Sequence, residues 1–351
     1  MDSGNPSSEA RGLTVAVTGP TGDIGRAFLR ALEEAPEVDR VVGMARRPFD
    51  PVAQGLNKVE YRRGDVLDAA SVARTIEGAD VVVHLAFLIL GSPEKTREIN
   101  LQGSRNVFEA ALGADVERLV YTSSVAAYGF HEDNPDVLTE DVPARGSDGH
   151  YYSRQKADVE ELLNNLAAAA HGETDVYVLR PCIVAGPTAL ALIQEIPYVK
   201  LGEKIPDSLR RIARAIPVMR PVVPDPGVPV QLVHEDDVAQ ALVAACLGKG
   251  APGAYNLAGD GAVSLTDIAH ALGYYAIPLP DIALDATIKI VSKFPYLPPA
   301  AQWVNAVKTP VLMDCTKARD ELGWKPRYDA LDTLNVTVHA AIDKGLIHRP
   351  T

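Results

Sequence analysis

Through the first 180 residues, short apolar runs rich in valine and leucine alternate with amphipathic stretches. The runs at 13–18, 41–44, 59–62, 81–85, 119–123 and 176–180 show little polar–apolar alternation, the pattern of strands covered on both faces. Between them, residues 24–34, 69–75, 100–112 and 152–169 repeat their apolar positions every three or four residues, which predicts helices. Strands and helices alternating in this way build a parallel sheet with helices on both faces, an α/β, doubly wound architecture.

Past Arg180 the texture changes. Prolines crowd residues 181–230, which predicts loop with short helices. Helical spacing returns at 236–247, 264–272, 284–292, 300–307, 315–322 and 330–343, with a strand at 254–257. The expected organisation is a first domain over 12–180, to which 228–260 returns, and a smaller mixed C-terminal subdomain drawn from 181–227 and 261–345.

Charge narrows the partners. The chain carries 34 Lys and Arg against 46 Asp and Glu, a net charge of -12. That argues against a nucleic-acid or anionic-membrane surface and leaves room for one local basic pocket. Residues 1–11 are polar and read as a disordered leader, not a secretory signal. The longest apolar run, 81–90, is broken by His84 and is too short to span a bilayer. Cys182, Cys246 and Cys315 are scattered and form no Cys-x-x-Cys spacing, which fits a reducing compartment and predicts neither a disulfide framework nor a metal site. A soluble, cytoplasmic protein is expected.

The first candidate chemistry follows the run at 13–18, which ends directly in Gly19-Pro20-Thr21-Gly22-Asp23-Ile24-Gly25 before a helix. Glycines permit a tight turn and close backbone approach, and the helix N-terminus offers unpaired N–H groups to a pyrophosphate. Gly19, Thr21, Gly22, Asp23, Ile24 and Gly25 are therefore candidate dinucleotide contacts, against the plainer reading of a simple strand-to-helix turn.

The Gly-x-x-Gly-x-x-Gly spacing resembles short-chain dehydrogenases/reductases, specifically their extended, NAD-dependent epimerase/dehydratase-like branch. The resemblance runs over nearly the whole chain, because further motifs recur in order. It implies a Rossmann-type sheet that binds the cofactor and a C-terminal subdomain that binds a small-molecule substrate. Where such relatives carry an acid for the adenosine ribose of NAD, this chain has Ala45, followed by Arg46 and Arg47. Guanidinium groups suit a 2′-phosphate, so NADP is expected ahead of NAD; the alternative is a solvated basic pair. Asp65 and Val66 match the family position beside the adenine, with an ordinary turn aspartate as the alternative. Leu85 and Ala86 lie where the cofactor crosses the sheet in relatives, and Pro181, Ile183 and Val184 in the segment that flanks the nicotinamide.

Tyr152 and Lys156 stand four apart in a helical stretch and so share a face. Alone they fit a surface pair equally well. Their company is what raises them: Thr122-Ser123-Ser124 resembles the family's serine segment, and Asn100 sits where the family commonly has an asparagine. The resemblance implies Tyr152 as acid or base at the reacting oxygen, its phenol helped toward ionisation by positive charge from Lys156 and the oxidised nicotinamide. It further implies Ser124 hydrogen-bonding that oxygen and Asn100 organising a water-linked proton path. His234 also fits the family pattern, and reads better as a helix cap than as a second acid/base.

Departures from the family narrow the reaction. Dehydratase relatives place an Asp-Glu pair after the serine; here those positions are Val125 and Ala126. Relatives that bind UDP-sugars carry an arginine where this chain has Val230, although Arg210, Arg211, Arg214 or Arg220 could substitute. Apolar residues at 87–90, 282–291 and 294–297 suit a substrate with an apolar skeleton, or equally the core of the subdomain. The first expectation is an NADP-dependent alcohol dehydrogenase or ketoreductase. The second is a nucleotide-sugar 4-epimerase working through a transient ketone. A non-catalytic dinucleotide sensor is the third, and the presence of both Tyr152 and Lys156 speaks against it. A homodimer through 100–112 and 152–169 is carried over from the family.

Overall fold

Valine-rich segments supply most of the strands: β1 (Leu13–Thr18), β2 (Val38–Ala45), β3 (Val59–Arg63), β4 (Val81–His84) and β5 (Arg118–Thr122). They are followed by β6 (Val137–Leu138), β7 (Asp175–Pro181), β8 (Ile183–Ala185), β9 (Val222–Asp225), β10 (Leu232–His234), β11 (Gly253–Leu257), β12 (Tyr275–Pro278) and β13 (Leu312–Met313). The computed structural model describes residues 11–170, 172–190, 222–225, 227–278 and 310–347. Seven strands form one parallel sheet in the order β11-β7-β5-β4-β1-β2-β3, a Rossmann-like arrangement. The chain winds outward from β1 to β3, then crosses back to place β4 on the other side of β1. Open α/β sheets bind ligands at the carboxyl ends of the strands flanking that reversal. Here it lies between β1 and β4.

The helices are α1 (Asp23–Glu34), α2 (Ala69–Ile76), α3 (Pro93–Arg97), α4 (Gly103–Gly113), α5 (Tyr151–Ala169), α6 (Glu235–Cys246), α7 (Leu265–Ala271), α8 (Thr316–Glu321) and α9 (Ala330–Asp343). Successive residues of β1 face opposite ways. Val15 and Val17 pack under Phe28 and Leu32 of α1 and Val238 and Leu242 of α6, while Ala16 joins Val107 and Phe108 of α4 and Val159 and Leu163 of α5. Each such side chain contributes roughly 1.5–3 kcal/mol on burial, which fixes the helices to their faces. A third cluster joins Leu334 and Val338 of α9 to Leu190, Leu232 and Val263.

The expected strands and helices are present with shifts of one to three residues. The stretch expected to be helical from residue 100 opens with a π-helical segment, Glu98–Gln102, before α4. Helix α3 was not expected: it has only five residues, capped by Ser92 with Pro93 in its first turn, too short for periodicity to reveal. The helices expected at 284–292 and 300–307, the arginines at 210–220, the apolar stretches at 282–297 and residues 1–10 lie outside the described residues. Among the described residues, no helix is long and apolar enough to cross a membrane, and no acidic, His or Cys cluster could hold a metal.

Candidate active site

Helix α5 delivers Tyr152 and Lys156 toward the sheet, where they are 8% and 3% exposed. The helix start is fixed by His150, whose ring nitrogen accepts from the Ser153 amide at 3.2 Å. Ser124 follows β5 and caps a short 3-10 turn, Val125–Tyr128, its Oγ accepting from the Ala126 amide at 3.2 Å. Its hydroxyl is near enough to Tyr152 to oppose the effect of burial on the phenol. Lys156 Nζ donates to the Thr122 carbonyl at 2.9 Å and to the Tyr121 hydroxyl at 3.3 Å. Phe87 covers both groups: its ring centroid lies 3.7 Å from Lys156 Nζ and 5.7 Å, edge-on, from the Tyr152 ring. Tyr152 and Lys156 thus lie together beneath one aromatic side chain.

Burial dominates the electrostatics. It pushes Tyr152 up to about 12, opposed by the Ser124 hydroxyl, and pulls Lys156 down to about 7, opposed by the charge of Glu160. Charge from Lys156 does not outweigh this desolvation, so within the protein's own groups Tyr152 is neutral at physiological pH. A neutral phenol facing a reacting oxygen is a stocked proton donor.

Asn100 sits elsewhere in the network. Its Oδ1 accepts from the Leu88 amide at 2.8 Å, and its Nδ2 donates to the Leu88 carbonyl at 2.9 Å and to Gln155 Oε1 at 2.8 Å. Both amide hydrogens are therefore committed. Asn100 clamps the loop carrying Phe87 against α5.

Behind the pair lies a buried polar cluster that sequence reading missed. Glu160 receives Arg180 Nε at 3.1 Å and Nη2 at 2.6 Å, together with the Ser123 hydroxyl. Arg180 also stacks on Tyr128 at 4.6 Å, and Tyr128 donates to Asn256 at 2.7 Å. The available signal was a glutamate four residues past Lys156 on the same helical face, and an arginine ending an apolar strand. His84, also buried, bridges Thr18 at 2.7 Å and Ser104 at 2.9 Å. Burial, reinforced by Lys156, drives its pKa down to about 3, so it is a neutral structural link. His234 caps α6 through the Asp236 amide at 3.1 Å and stacks on Tyr328, as a structural histidine should.

The glycine loop joins β1 to α1. Gly19 adopts φ +78, and a Cβ there would meet the Ala86 amide at 2.7 Å, so Leu85 and Ala86 run directly against the loop. A Cβ on Gly25 would strike the Gly19 carbonyl at 2.5 Å, which makes glycine obligatory for packing. Gly22 differs. Its nearest neighbour would be an ordinary 3.5 Å away, and Gly22 gives α1 no side-chain cap. The loop is thus closed where protein packs and open at the helix N-terminus, beside the partly exposed Thr21, Asp23 and Ile24. That arrangement fits a pyrophosphate.

The remaining candidates divide. Arg46 and Arg47 are exposed at the end of β2. Asp65 accepts from the Leu67 amide at 3.1 Å in an Asx turn, and Val66 packs under Gly103 with its carbonyl receiving Asn106 at 2.8 Å. Pro181 ends β7, while the half-buried Ile183 and Val184 pair with Leu232 and Val233 of β10. These segments line the same carboxyl edge of the strands as Ser124 and the glycine loop.

Comparison with known proteins adds the following. The model of the NAD dependent epimerase/dehydratase family matches residues 15–258. Over 329 residues the chain is 25% identical to an uncharacterized protein of Mycobacterium tuberculosis, covering 92% of this chain and 82% of that one. It is 34% identical over 172 residues to 3 beta-hydroxysteroid dehydrogenase type 7 of Homo sapiens, covering 45% of each. The crystal structure of UDP-glucose 4-epimerase from Thermotoga maritima with UDP-glucose has a TM-score of 0.69 at 19% identity, covering 95% of this chain and 99% of that one. At that identity the likeness is one of fold.

Proposed function

Because the chain belongs to the NAD dependent epimerase/dehydratase family, whose members are nicotinamide-dependent enzymes, we propose that it moves hydride between NADP and a secondary alcohol or ketone on a largely apolar substrate. The observation that carries this reading is the burial of Tyr152 and Lys156 together under Phe87, with Ser124 buried beside them. When bound, the nicotinamide supplies or accepts the hydride. In the reductive direction Tyr152 gives its proton to the carbonyl oxygen as charge develops there, and Ser124 holds the same oxygen. Lys156, when protonated, steadies the phenolate left behind. In the reverse direction Tyr152 takes the alcohol proton.

Specificity for an apolar partner is supported by Phe87 over the pair and by Ile89 and Leu90, 41% and 43% exposed on the same loop. The similarity to a 3 beta-hydroxysteroid dehydrogenase points the same way. Dehydration lacks its acids, since Val125 and Ala126 occupy the turn after Ser124. Nucleotide-sugar 4-epimerisation is the second reading, favoured by the shared fold of a UDP-glucose 4-epimerase and disfavoured by Val230, which bridges Val263 and offers a diphosphate no charge. NADP is preferred to NAD because Ala45 stands where an acid would select NAD, and the exposed Arg46 and Arg47 follow it. Two copies pair, on this reading, through α4 and α5, which leave Ala110, Leu112, Leu162 and Leu166 only partly covered.

The test is Tyr152→Phe, assayed by NADPH oxidation with apolar ketones and by epimerisation of UDP-glucose. Losing a positioned proton donor lowers kcat by about 10²–10⁴, with NADPH affinity unchanged. Undiminished turnover sinks the catalytic assignment. Epimerisation without net NADPH consumption replaces the first reading with the second.

A further inference from the structure

We propose that Arg63, delivered by β3, is a third recognition residue for the 2′-phosphate of NADP beside Arg46 and Arg47; this rests on the NADP reading above. In the parallel pairing of β2 with β3, Ala45 stands opposite Arg63. Arg63 therefore emerges at the same carboxyl edge of the sheet where doubly wound folds hold their cofactors.

The arginines of these two strands fall into two groups. Arg40 and Arg62 share Glu60, Arg62 Nε lying 2.7 Å from its carboxylate, so each has an acidic partner. Arg46, Arg47 and Arg63 are exposed, and among the described residues none of them has a carboxylate partner. Three uncompensated guanidinium groups on a chain of net charge -12 mark a place kept for an anion.

Backbone contacts aim the group. The Ala45 carbonyl accepts from the Gly64 amide at 3.1 Å and from the Tyr61 hydroxyl at 2.7 Å, and Tyr61 also reaches the Arg47 carbonyl. Arg63 Nε donates to the Arg46 carbonyl at 3.2 Å. Strand β3 thus engages all three carbonyls of the Ala45–Arg47 turn and fixes the Arg63 guanidinium over it. Among the described residues only one N–H donor of Arg63 is used, and the rest of the fork remains for a dianion with three acceptor oxygens.

Titrations of NADPH, NADH, adenosine 2′,5′-bisphosphate and AMP against the full chain, Arg46→Gln, Arg63→Gln and Arg63→Lys decide the matter. Arg63→Gln is expected to weaken NADPH and the bisphosphate on the order of tenfold, while NADH and AMP keep their affinity. Arg63→Lys recovers part of the loss, since it keeps the charge without the fork. If Arg63→Gln leaves NADPH affinity intact while Arg46→Gln weakens it, the inference on Arg63 is overturned and the NADP reading stands. Equal weakening of NADH and NADPH also overturns it, as a merely structural effect. If the unaltered chain binds NADH as tightly as NADPH, the NADP reading itself fails and takes Arg63 with it.

Discussion

Phe87 touches both Tyr152 and Lys156, and its two effects on Lys156 oppose one another. A cation over an aromatic face is stabilised, by at most about 2 kcal/mol when desolvated. Exclusion of water does the reverse and is the larger effect. The fall from 10.5 to about 7 at Lys156 corresponds to roughly 5 kcal/mol against the charged form. Phe87→Ala should therefore admit water and raise the Lys156 pKa. If activity requires protonated Lys156, activity is lost as pH climbs through that pKa. The basic limb of kcat/KM against pH then moves to higher pH in the variant, by about one unit. A limb that stays put, or moves down, shows that the ring acts through its π-face and not by excluding water.

At the scale of elements, α1 belongs with α4 and α8, the described helices that begin without a side-chain cap. Helices α5, α6 and α9 are each capped by a side chain, from His150, His234 and Asp329, whereas α1 begins at Gly22 with none. Serine is at least as good a cap as glycine, by a few tenths of a kcal/mol. Gly22→Ser should hold or slightly raise the melting temperature of the protein alone while lowering NADPH affinity, because the hydroxyl occupies the anion's place. Gly25→Ala, which must displace the Gly19 carbonyl, should lower both. A Gly22→Ser variant that binds NADPH normally would falsify the pyrophosphate assignment. The contrast also marks what the sequence made legible. Glycine order, the strands of the main sheet and the spacing of Tyr152 and Lys156 are local patterns, so they could be read directly. Strands β6, β8 and β13 have two or three residues each and exist only through pairing with distant partners. Phe87 over Lys156, Asn100 against Leu88, and Glu160 against Arg180 are tertiary contacts that no local periodicity encodes.

Across the whole molecule, one buried polar chain ties α5 to the C-terminal part. It runs from Glu160 on α5 through Arg180 and Tyr128 to Asn256, whose amide donates to the carbonyls of Leu138 at 3.1 Å and Asp314 at 3.2 Å. A buried ion pair is weak evidence of net stabilisation, because desolvation of two charges offsets their attraction. Removing one partner is another matter. Glu160→Gln strands the Arg180 guanidinium in the interior and should cost about 3–5 kcal/mol in urea unfolding. The double variant Glu160→Leu with Arg180→Met removes both charges and should return to within about 1 kcal/mol of the parent, or exceed it. Its catalysis should nonetheless change. Glu160 is the charge that raises the Lys156 pKa against burial, so its loss lowers that pKa further. The basic limb of kcat/KM then shifts to lower pH, opposite in sign to Phe87→Ala, in a protein of undiminished stability. A double variant as unstable as the single one would make the pair a stabiliser in its own right. An unmoved pH limb would separate Glu160 from Lys156 altogether and leave it a purely structural tie between the two parts of the chain.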